Sequence, residues 1–147
     1  MTERSALRAV FDTNVIIAAL LSKNPSSPTS ELLQRWGKGE FALLYCEDLQ
    51  AEYEEKFFSR NIPLEVQVAF LESLLVFGEH IELSRNQIHP RVPADPDDDI
   101  VIACAIAGQA THLVTYDSHL LNLGEMYQGV AIVDGLRFLY AVRGDGV

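Results

Sequence analysis

The chain is predicted to fold as an α/β domain, a three-layer α/β/α sandwich around a central parallel sheet with a Rossmann-like alternation. Three observations predict it. Short apolar runs alternate along the chain with longer amphipathic stretches, the pattern of parallel strands covered by helices on both faces. The length of 147 residues, with 48% apolar and 22% charged residues, fits one ordinary domain that can bury a core. No internal repeat, linker or low-complexity segment divides it, so residues 1–147 read as a single domain.

Ala6–Phe11 is an apolar run that reads as the first strand, ending at Asp12, and Val15–Leu21 follows as a helix. After the turn-rich Ser22–Pro28, Thr29 or Ser30 is a suitable N-cap for a helix through Trp36, closed by Gly37 or Gly39. Phe41–Tyr45 is the second strand. Glu47–Ser59 reads as a helix with acids in its first turn, where its dipole favours them. Asn61-Ile62-Pro63 breaks it, and Leu64–Phe77 is a further helix, whose stripe Leu64, Val68, Leu71, Leu74 and Leu75 reads as core or dimer interface. Ile81–Leu83 is a weak strand, and a polar loop containing His89 leads to an acidic run. Then come the helix Asp98–Ala107, the strand His112–Thr115, a short helix Asp117–Leu123, the strand Val130–Val133 and the helix Leu136–Val142.

A net charge of −10 gives no general attraction to nucleic acid or anionic membrane, so a polyanionic partner would need a local basic strip or metal ions. Arg8, Lys23, Arg35, Lys38, Lys56 and Arg60 are the basic candidates near the inferred rim. Cys46 and Cys104 lie in apolar runs without metal-ligand spacing and read as buried reduced thiols. The N-terminal residues do not read as a secretory leader, so none is expected, and no apolar run reaches the ~18–20 residues of a membrane span. A cytoplasmic chain with no membrane partner is expected.

The chemistry concentrates in Asp95-Pro96-Asp97-Asp98-Asp99-Ile100, which feeds straight into an apolar helix. A helix N-terminus favours a negative group by only ~0.3–1 kcal/mol. That is small against the repulsion among several crowded carboxylates, and a divalent cation is the natural compensation. In parallel sheets the ligand site lies beyond the carboxyl ends of the strands, where Asp12 and Asp117 stand. In the helix Glu47–Ser59, Glu52 falls on the inward stripe of Leu49, Tyr53 and Phe57, whereas Glu54 and Glu55 point outward. Asp99 shares its helical phase with Ile102, Ala103 and Ile106; Asp98 is the alternative one residue away. Asp97 and Asp98 suit helix capping, and Asp95, before Pro96, suits a loop. Asp12, Glu52, Asp99 and Asp117 are therefore four inward acids. Oxygen-rich clusters suit Mg²⁺ or Mn²⁺, and such a cluster with one or two ions suits phosphodiester hydrolysis.

Phe11-Asp12-Thr13-Asn14-Val15, Glu52 on the helix after the second strand, the acidic run into Ile100-Val101-Ile102-Ala103-Cys104-Ala105, and Val114-Thr115-Tyr116-Asp117 together resemble the PIN domain. The likeness is to its branch described as toxin components of toxin–antitoxin systems, and it spans Arg8 to Leu139. The resemblance implies a parallel α/β/α fold and a Mg²⁺- or Mn²⁺-dependent endoribonuclease acting on single-stranded RNA. By position it implies catalytic Asp12, Glu52, Asp99 and Asp117, with Asp12, Asp99 and Asp117 as metal ligands. Asn14 and Thr115 match the flanking polar positions that would touch substrate or support the ligands. A cognate antitoxin and a homodimer are implied partners. Tyr116 departs from the small residue often found between Thr and Asp, which bears on access to the pocket.

Plainer roles exist for each residue. Asp12 and Asp117 are favourable N-caps, Glu52 could be a surface acid on a rotated helix, and Thr115 is an ordinary strand residue. His119, in a helix's first turn, reads as a solvated surface group; His80, His89 and His112 lack helical ligand spacing. A binding module with the same fold but little catalysis is the main alternative, although a full acidic quartet is of little use to it. A phosphatase or phosphoryl-accepting domain fits less well. Asn14 stands where an Asp-x-Asp motif needs its second acid, and no lysine follows Lys56. Neither a glycine-rich phosphate loop nor a Gly-x-Ser-x-Gly elbow is present.

Overall fold

The computed structural model of the chain describes residues 6–88 and 96–144. The expectations for His89 and Asp95 lie outside the described residues. Six strands, β1 (Arg8–Phe11), β2 (Ala42–Tyr45), β3 (Glu79–His80), β4 (His112–Val114), β5 (Met126–Tyr127) and β6 (Val130–Val133), form one sheet in the order β3-β2-β1-β4-β6-β5. Every neighbouring pair is parallel except β5 with β6. Among the described residues seven α-helices, α1 (Thr13–Leu21), α2 (Pro28–Gly37), α3 (Glu47–Ser59), α4 (Leu64–Phe77), α5 (Pro96–Ala107), α6 (Ser118–Leu121) and α7 (Gly135–Arg143), lie between and after them. α5 lies across β1, β2 and β4 and packs on α3, while α2 packs on α7, which covers β4. This is the three-layer α/β/α arrangement.

The central strands β1, β2 and β4 are almost wholly apolar because both sheet faces are covered. Phe11, Phe41 and Phe138 meet with ring centroids 5.1–5.9 Å apart, and Tyr53, Phe57 and Phe70 form a second aromatic group. The Tyr53 hydroxyl donates to the Phe11 carbonyl at 2.5 Å, which ties α3 to the end of β1.

Several elements differ from the sequence reading for local reasons. α2 starts at Pro28 and is capped by Ser27 rather than by Thr29 or Ser30. Proline suits the first helical position, where its missing N–H is no loss. The third strand is Glu79–His80, not Ile81–Leu83. Gly78 closes α4 where any Cβ would strike the Leu74 carbonyl and the Tyr45 ring, so the chain meets β2 at once. Strand β5 was not anticipated. Gln128 and Gly129 both have positive φ (49° and 85°), as a two-residue hairpin turn between β5 and β6 requires. On α4 only Phe70 and Leu74 are buried, and of the expected stripe Leu64, Val68 and Leu75 are exposed.

Arg8 corrects a functional expectation. It opens β1, at the amino edge of the sheet and away from the strand ends that carry Asp12 and Asp117. Its buried guanidinium donates to both carboxylate oxygens of Glu79 (2.8 and 2.6 Å) and to the Gly108 carbonyl. Arg8 therefore ties β1 to β3 and α5. Arg8→Met is expected to lower unfolding free energy by about 2–3 kcal/mol, below the range for a wholly buried pair because Glu79 is partly open to solvent. Urea midpoints measure this, and a midpoint unchanged from the parent chain would contradict it.

Candidate metal centre and active site

The chain runs from β1 outward through β2 to β3, then returns to place β4 on the other side of β1. The β1/β4 boundary is thus the topological switch point, where open α/β sheets bind ligands beyond their carboxyl ends. Asp12 and Asp117 follow the two strands of this boundary. The Asp12 N–H donates to the Val114 carbonyl at 2.9 Å, which seats Asp12 across both strands.

Asp12 is 5% exposed. One carboxylate oxygen accepts the Thr13 N–H at 2.8 Å, which caps α1, and the other accepts the Thr115 hydroxyl at 2.8 Å. Thr115 is fully buried, and its Oγ1 also accepts the Asp117 N–H at 2.9 Å. One threonine therefore orients the first acid and the backbone of the last. Asp117 caps α6 by accepting the His119 N–H, and the His119 Nδ1 lies 3.4 Å from Asp117 Oδ1. The capping roles read for Asp12 and Asp117 are present, and they are also what fixes the two carboxylates at the rim.

The three consecutive acids of α5 fan out over its first turn. Asp98 and Asp99 are buried, 4% and 6% exposed, whereas Asp97 is exposed. Asp98, Asp117 and His119 each offer a ligand atom within 4.8 Å of the other two. Asp98 Oδ2 is buried and accepts no hydrogen bond among the described residues. Two carboxylates and an imidazole at this spacing are a donor set that fits a divalent ion. Asp99, favoured from helical phase, is not in that group; it lies buried beside it on the same turn.

Glu52 stands on the Asp12 side of the pocket. Its Oε2 accepts the Thr13 hydroxyl at 2.5 Å. Burial pushes its carboxyl up to about 7; the Thr13 bond opposes this, the Asp12 and Asp97 charges add to it, and Lys56 pulls it down. Asp12, Thr13, Glu52 and Asp97 thus form one electrostatic unit, joined through Thr115 to Asp117. Asn14 is exposed on the first turn of α1.

Sequence reasoning missed Thr13 and passed over His119. Thr13 follows Asp12 directly, and a hydroxyl on a helix's first turn beside an inward glutamate was an available signal. For His119 the signal was its position two residues after Asp117, the spacing of a capped turn. Arg35 also departs from its expected role: it is paired with Glu31 and Glu40, and Glu31 binds Arg143 as well. His112 packs its ring against Phe138, at a centroid distance of 5.0 Å. Cys46 and Cys104 are free and buried.

Structures with this fold are known. VapBC2 from Rickettsia felis, solved bound to a DNA fragment from its promoter, aligns with a TM-score of 0.60 at 16% identity, over 87% of this chain and 98% of that one. PAE2754 from Pyrobaculum aerophilum aligns with a TM-score of 0.59 at 16% identity, over 96% and 92%. FitAcB from Neisseria gonorrhoeae aligns with a TM-score of 0.52 at 14% identity, over 87% and 98%. At such identities the likeness is one of fold. No curated protein sequence matches the chain. Residues 8–119, which include Asp12, Glu52, the acids of α5 and Asp117, match the sequence profile of the PIN domain, and the chain belongs to the PIN domain family.

Proposed function

We propose that this PIN domain is a Mg²⁺- or Mn²⁺-dependent endoribonuclease that cleaves single-stranded RNA, as the toxin of a toxin–antitoxin pair in the cytoplasm. The observation that carries the reading is the convergence, at the β1/β4 switch point, of acids from three distant stretches: Asp12, Asp98 and Asp117. Asp98, Asp117 and His119 would hold the ion, with Asp12 and Asp99 completing the anionic wall. The imidazole adds a nitrogen donor, which suits Mn²⁺ better than Mg²⁺. A divalent ion bound there would supply an activated water and charge compensation at the reacting phosphate. Thr115 holds Asp12 and the Asp117 backbone in register, and Thr13 orients Glu52, whose raised pKa lets it hold or release a proton near neutrality.

Further surface suits protein partners. A cleft of about 420 Å³ between α1, α2 and α4 is lined by Leu20, Leu33, Trp36, Val66, Phe70 and Phe77. It adjoins the exposed apolar face of α4 and is the surface we assign to the antitoxin. The fold likeness to VapBC2 and FitAcB suggests the kind of partner, and the apolar lining of the cleft suggests its place. A homodimer is expected by family resemblance. No helix among the described residues is long and apolar enough to cross a membrane.

The test pairs cleavage with binding. Mn²⁺ is expected to raise the melting temperature, by the equivalent of about 2.7 kcal/mol at a hundredfold excess over its Kd. Labelled single-stranded RNA is expected to be cut with Mn²⁺ and left intact with EDTA. Asp117→Asn is expected to lose both effects. Cleavage that survives EDTA, or a melting temperature indifferent to Mn²⁺ at millimolar levels, would overturn the reading.

A further inference from the structure

Tyr116 stands between the two residues that organise the site, Thr115 and Asp117, yet it takes no part in their network. It leaves 45% of its surface open, although it lies only two residues beyond strand β4. The ring is nonetheless anchored at its tip, and the residue before it is tied into the sheet, the Thr115 N–H donating to the Val133 carbonyl at 3.0 Å. At the tip the hydroxyl rests on the Gly135 backbone at the start of α7, and a Cβ at position 135 would collide with it. Gly135 is itself buried, so the contact is part of the packed fold. The result is an aromatic side chain, partly open to solvent and anchored on α7, flanked in the chain by two residues of the acidic site.

Charge makes such a surface useful. The chain carries −10, and three of its eleven basic side chains, Arg8, Arg35 and Arg143, are engaged by carboxylates. Asp134 adds a further negative charge near Tyr116. Those three cations are held by carboxylates rather than left for phosphate contacts. Stacking of a base on an aromatic ring needs no cation and tolerates any base.

We propose that Tyr116 is a stacking platform for a nucleobase next to the cleaved phosphate, so that it sets substrate affinity rather than chemistry. This rests on the nuclease reading above. A phenol needed only to fill space over Gly135 would behave differently from a platform, and replacements at 116 separate the two.

The experiment compares Tyr116→Ala, Tyr116→Leu and Tyr116→Phe in Mn²⁺-dependent cleavage of a single-stranded RNA. A parallel measurement follows quenching of a 2-aminopurine base in the same RNA, in EDTA, where binding is read without turnover. Alanine and leucine are each expected to raise KM about tenfold, to keep kcat within about twofold, and to lose the quenching. Phenylalanine keeps the ring and is expected to restore most of both. If leucine matches the parent KM, or if alanine lowers kcat with KM unchanged, the platform is overturned while the nuclease reading stands. If the parent chain quenches 2-aminopurine in a Tyr116-dependent way but cleaves nothing, the nuclease reading fails and the platform stands. Should alanine fail to fold, the leucine and phenylalanine pair carries the test.

Discussion

Asp12→Asn is expected to reduce metal-dependent RNA cleavage at least ~100-fold, more than the loss typical of a group that merely supports a ligand. The reason lies in the donors around the residue. Thr13 N–H and Thr115 O–H point at different oxygens of Asp12, and only a carboxylate offers an acceptor to both. In asparagine one of the two positions becomes an NH₂, so either it faces the Thr13 N–H or the Thr115 hydroxyl must turn its own proton away and accept instead. A misplaced donor in a buried site costs about 1–3 kcal/mol, and a turned Thr115 hydroxyl would lose its acceptor on residue 12 while its Oγ1 accepts from both the new amide and the Asp117 N–H. The variant should therefore lose both negative charge and alignment. Its fold should persist, because the β1 ladder and the Tyr53 bond to Phe11 do not involve this side chain. Initial cleavage rates with Mn²⁺, alongside circular dichroism, measure the effect. A variant that folds and cleaves within tenfold of the parent would remove Asp12 from the active site.

The second large effect is on stability, and it depends on pH. The Glu52 carboxyl is raised from 4.5 to about 7, first by burial and then by the nearby Asp12 and Asp97 charges, against the Thr13 bond and Lys56. Between these two values the folded chain holds a proton that the unfolded chain has released. Stability from this group is therefore greatest below pH 4.5, falls as pH rises and levels off above pH 7. The span corresponds to about 3 kcal/mol, in protein freed of metal. Glu52→Gln carries no charge at any pH and its amide oxygen can still accept from Thr13. It is expected to match the parent near pH 4.5 and to exceed its stability by up to about 3 kcal/mol at pH 8. Urea titrations at both pH values in EDTA decide the matter; equal pH dependence in the two proteins would exclude Glu52 as the buried acid.

Both predictions concern residues whose importance was readable from pattern. Asp12 directly follows one apolar strand and Asp117 stands just beyond the end of another, and the parallel-sheet rule places such residues at the ligand edge. Glu52 interrupts a helical stripe of Leu49, Tyr53 and Phe57, which the structure buries completely. The helices Glu47–Ser59 and Leu64–Phe77 run between the limits read from the sequence, because strong breakers flank them. The small elements were less legible. Strand β3 has two residues and β5 two, too few for a period to register, and each depends on the partner strand beside it.

The basic residues departed from their expected role for different reasons. Glu79, the partner of Arg8, reaches it only when β1 and β3 are brought into one sheet, whereas Glu31 pairs with Arg35 one turn away on α2, a local spacing the sequence already held, with Glu40 just beyond the helix end. The Glu79 partner is 71 residues away from Arg8 in the chain.

The sequence alone determined the alternation of strands and helices, hence the parallel sheet and the edge at which its acids collect, because periodicity and strand ends are local properties. Only the tertiary structure decided which of Asp97, Asp98 and Asp99 faces which neighbour, with Asp98 toward Asp117 and His119 and Asp97 in the field of Glu52. Successive residues on a helix's first turn point about 100° apart, so a pocket selects among them only once β4, α6 and α3 have packed around that turn.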